Sequence, residues 1–190
     1  MQVLTCTQPG QFAYSTAPEP AAEKDTAIIA IKRVGICGTD LHAFEGTQPY
    51  FSYPRVLGHE LAGEIIDASF APGFSAGEQV TVIPYLNCGQ CIACRNGLTN
   101  CCTTLQVLGV HTDGGMANYL QVPAHLLIRS EGLSLDKLAL VEPLAIGAHG
   151  VRRADLKPGE FVLVAGAGPI GLAVIQFAKL AGAEVIVLDV

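Results

Sequence analysis

Five of the seven cysteines are crowded into residues 88–102, and four of them have the spacing Cys88-x2-Cys91-x2-Cys94-x7-Cys102. Four thiolates at these separations can fold a loop around one tetrahedral zinc ion, with no coordination position left for a substrate. Cys101 adjoins Cys102 and competes with it for the site, but the spacing favours Cys102. Free cysteines without a metal are the alternative, and closely spaced exposed thiols would then be open to oxidation. We therefore expect a structural zinc site here.

A second set of potential metal ligands is spread along the chain. It contains Cys37 in VGICGTDLH, His59 and Glu60 in GHELAG, and Glu142 in VEP. Taken singly, a cysteine is more often a small buried apolar residue, and a histidine is more often a core or surface residue with ordinary partners. Taken together, they supply one thiolate, one imidazole and one or two carboxylates. An open catalytic zinc site, with water or a substrate oxygen in its last position, needs such a set.

A glycine-rich segment has the form Gly166-Ala-Gly168-Pro169-Ile170-Gly171. It follows an apolar strand directly and opens a helix, which is the context in which this motif binds the pyrophosphate of a dinucleotide. In that role Gly166 permits the tight turn, Gly168 lets the backbone approach the pyrophosphate, and Gly171 lets helix and strand pack closely. The free N–H groups at the start of the helix favour phosphate. A glycine-rich turn without a nucleotide is the alternative.

An acidic residue, Asp189, follows Gly171 by 18 residues, at the end of the next predicted strand. Its carboxylate would accept hydrogen bonds from the adenosine ribose hydroxyls, and its charge would repel a 2′-phosphate. The sequence therefore favours NAD over NADP as the cofactor.

The elements that position these residues differ along the chain. Up to about residue 150, short β segments such as Thr26–Val34 and Gln79–Ile83 alternate with Gly/Pro turns, and Asp40–Phe44 has the pattern of a short helical turn. This pattern predicts mainly antiparallel or barrel-like β structure with long functional loops.

The pattern changes after Ser134. Leu135–Arg153 has apolar residues at helical spacing, and Pro143 and Gly147 are expected to kink or divide it. Beyond it come an apolar strand at 161–165, a helix at 169–181 and an apolar strand at 184–189, which together predict a parallel βαβ unit. We therefore divide the chain into domains at 1–150 and 151–190.

Composition excludes several classes of protein. Hydrophobic residues make up 50% of the chain and charged residues 15%, which is typical of a folded protein, and the net charge of −6 disfavours a nucleic-acid partner. No apolar run has the roughly 18–20 residues needed to cross a bilayer, and Met1–Cys6 does not resemble a signal peptide. We expect a cytoplasmic protein with reduced thiols and no membrane partner.

The motifs VGICGTDLH, GHELAG, the cysteine quartet, VEPLAIGAHG and GAGPIG occur in one order over essentially the whole chain. In that order and spacing they resemble the medium-chain zinc alcohol dehydrogenases, in which a GroES-like β-barrel catalytic domain precedes a Rossmann domain. The glutamate of VEP is similar to the sorbitol and threonine dehydrogenase branch. The segments 48–60, 82–85 and 109–115 are similar to bacterial L-galactonate oxidoreductases. The resemblance implies that the chain carries the catalytic domain and the first βαβ unit of an incomplete Rossmann domain.

The resemblance also implies roles for individual residues. Cys37 and His59 would bind the catalytic zinc, with Glu60 or Glu142 completing the ligands directly or through water. Thr39 and His42 would relay the substrate proton to solvent, although both are alternatively helix-capping residues. Asp40 would orient His59 by accepting its free ring N–H. The implied reaction is hydride transfer from a secondary alcohol of a polyol or sugar acid to NAD, in an enzyme expected to be a homo-oligomer when full length.

Two other functions and two structural questions stay open at this level. A zinc-free NADPH-dependent enone or quinone reductase would need neither ligand set, and a non-catalytic zinc-binding interaction module would bind one zinc where the dehydrogenase binds two. The interaction module is disfavoured because Arg95 is the only charged residue between the first and last cysteines of the quartet, which makes the segment a poor phosphate-binding face.

The isolated 190-residue chain is expected to bind zinc but turn over little substrate. The remaining side chains are candidates either for a substrate pocket or for the core: Phe44, Gln48, Tyr50 and Phe51.

Overall fold

The computed structural model describes residues 1–49 and 51–190, and the chain forms two compact units, Met1–Ala139 and Leu140–Val190. The compact units meet at 139/140, and the sequence-based domain division at 150/151 lies inside the helix Val141–Ala154. The assignment of functional domains to the two parts of the chain stays a prediction. In the described residues, no helix combines the length and apolar character needed to cross a membrane.

The first unit contains ten strands and three α-helices among the described residues. The strands are β1 (Gln2–Gln8), β2 (Gln11–Thr16), β3 (Thr26–Gly35), β4 (Arg55–Val56), β5 (Glu60–Asp67), β6 (Gln79–Val82), β7 (Tyr85–Leu86), β8 (Gln106–Val107), β9 (Tyr119–Pro123) and β10 (Leu127–Arg129). The helices are α1 (Gly38–Glu45), α2 (Ile92–Arg95) and α3 (Leu135–Ala139). Two short 3-10 turns, Thr99–Cys101 and Ala124–Leu126, complete the list.

The main core lies on a five-stranded antiparallel sheet with the order β10-β6-β5-β3-β9. Alternate strand residues point to the same face, and β-branched and leucine side chains fill that face here. Ile29, Leu61, Ile65, Val80 and Val122 are fully buried in one cluster. The predicted strands at 26–34 and 79–83 are confirmed, with β3 one residue longer and β6 one residue shorter.

A smaller core fixes α1 against a three-stranded sheet with the order β2-β1-β4. It consists of Cys6, Ala43 and Leu57, with Phe44 and Phe51 packed against it. Burial raises the pKa of the Cys6 thiol. Phe44 and Phe51 therefore pack against the core of this unit, and a role in a substrate pocket stays a prediction; Tyr50 falls outside the described residues.

Two antiparallel strand pairs, β1 with β2 and β7 with β8, contact or flank the segments that carry the candidate metal ligands. The backbone N–H of Gly10, in the turn between β1 and β2, donates to the carbonyl of Phe44 (2.6 Å), and the ring of Phe12 stacks on that of Phe44 with centroids 5.1 Å apart. These contacts hold the end of α1. The antiparallel pair β7 and β8 closes the base of the cysteine-rich segment between them.

The second unit is a βαβ unit preceded by a helix. It consists of α4 (Val141–Ala154), β11 (Phe161–Ala165), α5 (Pro169–Leu180) and β12 (Glu184–Leu188). β11 and β12 are parallel neighbours, as the sequence predicts, and Phe161 lies opposite Glu184. Parallel pairing requires the crossover that α5 supplies.

The predicted effects of Pro143 and Gly147 on the helix are corrected by the structure. The helical segment is divided at Leu140, between α3 and α4. Pro143 lies in the first turn of α4, where an N–H has no helical acceptor and its loss is tolerated. Gly147 lies within the continuous helix, where an added Cβ would be 2.6 Å from the Cβ of Ala173. The glycine allows α4 and α5 to pack closely.

Candidate metal centres and nucleotide-binding loop

The four cysteines of the quartet converge in the segment between β7 and β8. Their Sγ atoms all lie within 4.8 Å of one another. Backbone N–H groups donate to three of them: Cys88 N to Cys102 Sγ (3.3 Å), Cys91 N to Cys88 Sγ (3.3 Å) and Cys94 N to Cys91 Sγ (3.5 Å). Cys101 is exposed on the adjoining 3-10 turn and is not a member of this group.

Hydrogen bonding divides the thiols of this cluster into two classes. Donation from the backbone of Cys94 lowers the pKa of the Cys91 thiol to about 5, and donation from the backbone of Cys88 lowers the pKa of Cys102. Desolvation, followed by the neighbouring Cys91 thiol, raises the pKa of Cys94 to about 11. Part of the cluster therefore carries negative charge at neutral pH, as thiolate ligands must.

Zinc fits this donor set. Ligand atoms lie about 2.0–2.3 Å from zinc and hence about 3.3–3.8 Å from one another in a tetrahedral site. Four sulfur atoms within 4.8 Å of one another need only small side-chain rotations to reach that geometry. Because all four positions would be filled by protein, such a site is closed to substrate.

A second group of potential ligands forms where α1, β3 and β5 meet. Cys37 is the residue before α1, and His59 and Glu60 stand at the start of β5. One donor atom from each of these three residues lies within 4.8 Å of the others. His59 and Glu60 are both only 6% exposed, and Cys37 is half-buried. Three donors of three types in a buried position match an open zinc site with a vacant coordination position.

Asp40 interacts with both segments that carry this second group, the one with Cys37 and the one with His59. Its Oδ2 accepts the backbone N–H of Cys37 (2.9 Å), and its Oδ1 accepts the backbone N–H of Gly58 (3.2 Å). The same Oδ1 lies 3.9 Å from His59 Nδ1. Because Asp40 is only 4% exposed, these interactions form in a weakly screened interior. One carboxylate thus fixes the start of α1 and the backbone before His59, and it lies beside the imidazole.

The electrostatic environment of Cys37 favours its thiolate. A hydrogen bond with the His59 side chain lowers the pKa of the Cys37 thiol most, and hydrogen bonds from the backbone and side chain of Thr39 lower it further. Burial acts in the opposite direction and is outweighed. The thiolate is the form that binds a metal.

Thr39 and His42 lie on α1, the helix that follows Cys37. The hydrogen bond between Thr39 and Cys37 places that hydroxyl beside the sulfur. His42 is largely exposed, with Nδ1 3.4 Å from Thr47 Oγ1 and 3.5 Å from Glu45 Oε2. In the part of the chain that the structure describes, neither side chain caps an end of α1. Their proton-relay role stays a prediction.

A loop with three glycines supports the backbone before His59. Gly58 has φ +93°, and its carbonyl accepts the N–H of Gly115 (2.9 Å). An added Cβ at Gly109 would be 2.8 Å from Gly58 N, and one at Gly114 would be 2.6 Å from Leu57 O. Sequence reasoning did not assign this role, although the segment 109–115 carries the signal in its three glycines.

Glu142, the other carboxylate that the sequence puts forward, is buried in the first turn of α4. It belongs to the second unit, whereas Cys37 and His59 belong to the first. Its place among the ligands stays a prediction.

The glycine-rich segment forms the turn from β11 into α5. Gly166 has φ +96°, and an added Cβ at Gly171 would collide with the carbonyl oxygen of Gly166. Gly168 precedes the first turn of α5, which begins with Pro169 and Ile170. Asp189 Oδ2 accepts the N–H of Ala167 (2.8 Å), so the carboxylate lies beside the turn. The structure thus joins the predicted glycines and Asp189 in one place within the second unit.

Comparison with known proteins identifies the first unit. The model of the alcohol dehydrogenase GroES-like domain matches residues 23–132. L-galactonate-5-dehydrogenase of Escherichia coli K12 is 51% identical over 190 residues, which cover 100% of this chain and 56% of that protein. The chain thus spans about half the length of the curated relatives it matches.

Solved structures agree over both units. The alcohol dehydrogenase RspB of E. coli CFT073, in complex with NADH, is 36% identical with a TM-score of 0.90, over 100% of this chain and 56% of that one. A protein designated a zinc-binding dehydrogenase, from Sinorhizobium meliloti 1021 and bound to NADP, is 34% identical with a TM-score of 0.90, over 98% and 55% of the two chains.

The expected fold class, a GroES-like domain followed by a Rossmann βαβ unit, is confirmed by these matches. The family model covers more than half of the chain and includes Cys37, His59 and the cysteine quartet. The chain therefore belongs to the alcohol dehydrogenase GroES-like domain family.

Proposed function

We propose that this sequence belongs to a zinc-dependent oxidoreductase that transfers a hydride from a secondary alcohol to NAD. The substrate class that we propose is a polyol or sugar acid, with an L-galactonate-like acid as the first compound to test. The identity of 51% to an L-galactonate-5-dehydrogenase supports this class.

The observation that carries the proposal is the convergence of Cys37, His59 and Glu60 apart from the cysteine quartet. A zinc-free reductase does not need these donors, and an interaction module with one closed zinc site does not need them either. The buried Asp40 beside them is the type of carboxylate that orients a zinc-binding imidazole.

In this proposal the dispersed cysteine, histidine and glutamate side chains would hold the catalytic zinc, and the glycine-rich turn would hold the nucleotide. Cys37 and His59 would be zinc ligands, and either Glu60 or Glu142 would complete the set. With Asp40 facing Nδ1 of His59, Nε2 is the nitrogen that remains for the metal. When bound, zinc acts as a Lewis acid that lowers the pKa of the substrate hydroxyl.

The proton of the alcohol would pass to solvent by way of two side chains of α1. The hydroxyl of Thr39 is adjacent to Cys37 and would accept this proton, while the exposed imidazole of His42 would pass it to water. General-base assistance of this kind contributes roughly 10²–10⁴-fold to a rate.

The nucleotide would lie on the turn before α5. The N–H groups of the first turn and the absence of side chains at Gly166, Gly168 and Gly171 favour a pyrophosphate there. Similar structures hold either NADH or NADP, so the preference for NAD rests on Asp189, whose charge opposes a 2′-phosphate. NAD, when bound, accepts the hydride.

The quartet would hold a second, structural zinc. Because both zinc sites need reduced thiolates, and all seven cysteines are unpaired in this structure, we also propose a cytoplasmic location. A homo-oligomeric full-length protein is proposed from the family resemblance alone.

An activity screen with metal analysis tests the proposal. Full-length protein is assayed for NAD reduction with aldonates, polyols and threonine, before and after treatment with a zinc chelator. We expect two zinc ions per chain, activity with at least one sugar acid or polyol, and loss of activity on chelation. Cys37→Ser should retain the quartet zinc and lose activity. Full activity in Cys37→Ser, or one zinc ion per chain in the wild-type protein, would contradict the proposal.

A further inference from the structure

A glycine stands directly across the sheet from Glu60. β3 and β5 are antiparallel, and Gly35, the last residue of β3, pairs with Glu60, the first residue of β5. Cross-strand partners normally have Cβ atoms about 4.5–5.5 Å apart. A Cβ added to Gly35 would be 2.8 Å from the Cβ of Glu60 and would collide with its Oε2. The Glu60 carboxylate therefore occupies the space of the missing side chain.

A β-bulge produces this pairing. Ile31 pairs with Gly63, but the next pair along the strands joins Arg33 to Ala62. Lys32 is therefore an additional residue on β3. Without the additional residue, Val34 would stand opposite Glu60. A bulge of this type shifts every later pair by one residue. The shift brings a glycine, and not a valine, to the position that faces the carboxylate.

We propose that Gly35 is a positioning residue for the centre formed by Cys37, His59 and Glu60. Its lack of a side chain lets the Glu60 carboxylate fold back over the end of β3, towards the sulfur and the imidazole. Cys37 follows Gly35 by two residues, so the strand that leaves room for one ligand also delivers another. This inference rests on the proposed catalytic centre and concerns how the third ligand reaches it.

The alternative is that Gly35 serves only the close approach of the two strands. Gly63 has that role elsewhere in the pair, since an added Cβ there would be 2.5 Å from the carbonyl oxygen of Ala30. The two glycines therefore differ in what they contact. Gly35 faces an ionisable side chain, whereas Gly63 faces backbone.

Cobalt binding to the full-length protein separates these roles. The quartet is kept loaded with zinc, and Co²⁺ is titrated into the second centre while the thiolate-to-cobalt and visible absorption bands are followed. The Cys37→Ser variant supplies the baseline. If the wild-type protein gives no signal beyond that baseline, the proposed function itself fails, and this result is distinct from any effect of Gly35.

If the wild-type protein binds Co²⁺ at this centre, we expect Gly35→Ala to weaken the Co²⁺ affinity by about 10–100-fold, the usual effect of losing a residue that supports a metal ligand. The visible absorption bands should change as well. Glu60→Gly should weaken it as well. The double variant Gly35→Ala/Glu60→Gly, which moves the glycine to the other strand, should bind no more weakly than Glu60→Gly alone. Wild-type affinity in Gly35→Ala, or losses that add in the double variant, would overturn the inference.

Two glycine variants serve as controls. Gly38→Ala adds a Cβ with no atom within 4 Å and should leave cobalt binding unchanged. Gly63→Ala should lower the melting temperature with cobalt affinity close to that of the wild type. If Gly35→Ala fails to fold, the double variant tests the inference in its place. Removal of the Glu60 side chain should then restore a folded protein. An unfolded double variant would overturn the inference.

Discussion

Asp40 Oδ1 lies 3.9 Å from His59 Nδ1, and both side chains are buried in the interior of the first unit. The same oxygen also accepts the N–H of Gly58, the residue before His59. The carboxylate thus holds the backbone that carries His59 and lies beside the imidazole. This relationship connects local folding of α1 with the geometry of the proposed zinc centre.

We expect Asp40→Asn to destabilise the protein even without metal. The amide presents one oxygen where the carboxylate presents two acceptors to Cys37 N and Gly58 N, so one buried donor loses its partner, at about 1–3 kcal/mol. Zinc affinity at the second centre should fall by about 10–100-fold. Urea unfolding of the metal-free protein and zinc titration measure the two effects. Asp136→Asn, which removes an exposed ion pair with Arg33, should change neither.

The quartet gives a prediction with an internal control in adjacent residues. Cys102→Ser should lower the zinc content by about one ion per chain and reduce the melting temperature, because a closed site loses one of its four ligands. Cys101→Ser should do neither, since Cys101 is exposed and outside the cluster. Zinc content by atomic absorption and thermal unfolding are the measurements. Equal losses in the two variants would contradict the assignment of Cys102.

Thiol chemistry in the metal-free protein should distinguish Cys91 from Cys94. A lowered pKa keeps a thiol ionised down to lower pH, whereas a raised pKa keeps it protonated up to higher pH. With pKa values of about 5 and about 11, Cys91 is a thiolate at pH 7 and Cys94 is not. Iodoacetamide should therefore modify Cys91 first at pH 7, as followed by peptide mass spectrometry. The difference should vanish in denaturant, and faster modification of Cys94 in the native protein would contradict it.

Asp189 is expected to control nucleotide choice. Asp189→Asn should weaken NAD binding by about 10–100-fold through the loss of charged hydrogen bonds to the ribose, and it should narrow the preference over NADP. Fluorescence titration with NADH and NADPH measures both affinities. The variant Asp155→Asn, in which an exposed pair with Lys157 is lost in the same unit, is the matched control. Tighter NADPH than NADH binding by the wild-type protein would refute the prediction.

Two glycines of α4 should respond oppositely to alanine. Gly147→Ala places a Cβ against Ala173 and should destabilise the protein by about 1–3 kcal/mol, because the packed helices must separate. Gly150→Ala meets no atom within 4 Å and should stabilise it by up to about 1 kcal/mol through helix propensity. Urea unfolding curves for the two variants test the difference. Similar effects of the two substitutions would show that α4 does not pack on α5 as described.

The sequence predicted most successfully what depends on short separations. The quartet and the turn before α5 are formed by neighbours in the chain, so spacing alone brought Cys88, Cys91, Cys94 and Cys102 into one prediction. For Cys37 and His59, the chemistry of the side chains predicts a common site. No local sequence pattern indicates that β3 pairs with β5 and brings them together.

Features that depend on register or on packing between elements were not predictable in the same way. The additional residue at Lys32 decides which residue faces Glu60, and a bulge leaves no clear pattern in a single sequence. The sequence predicts a kink or break at Gly147, yet contact with Ala173 decides the role of this glycine. Tertiary contact overrides propensity at such positions.

The cysteine-rich segment lies between β7 and β8, and two residue pairs, Tyr85 with Val107 and Leu86 with Gln106, bring its two ends together. Among the described residues, β7 and β8 form a sheet of their own and are not strands of the five-stranded sheet that contains β3 and β5. A shorter or different loop that keeps the β7–β8 pair should therefore leave the pairing of β3 with β5, and with it the candidate centre of Cys37, His59 and Glu60, unchanged.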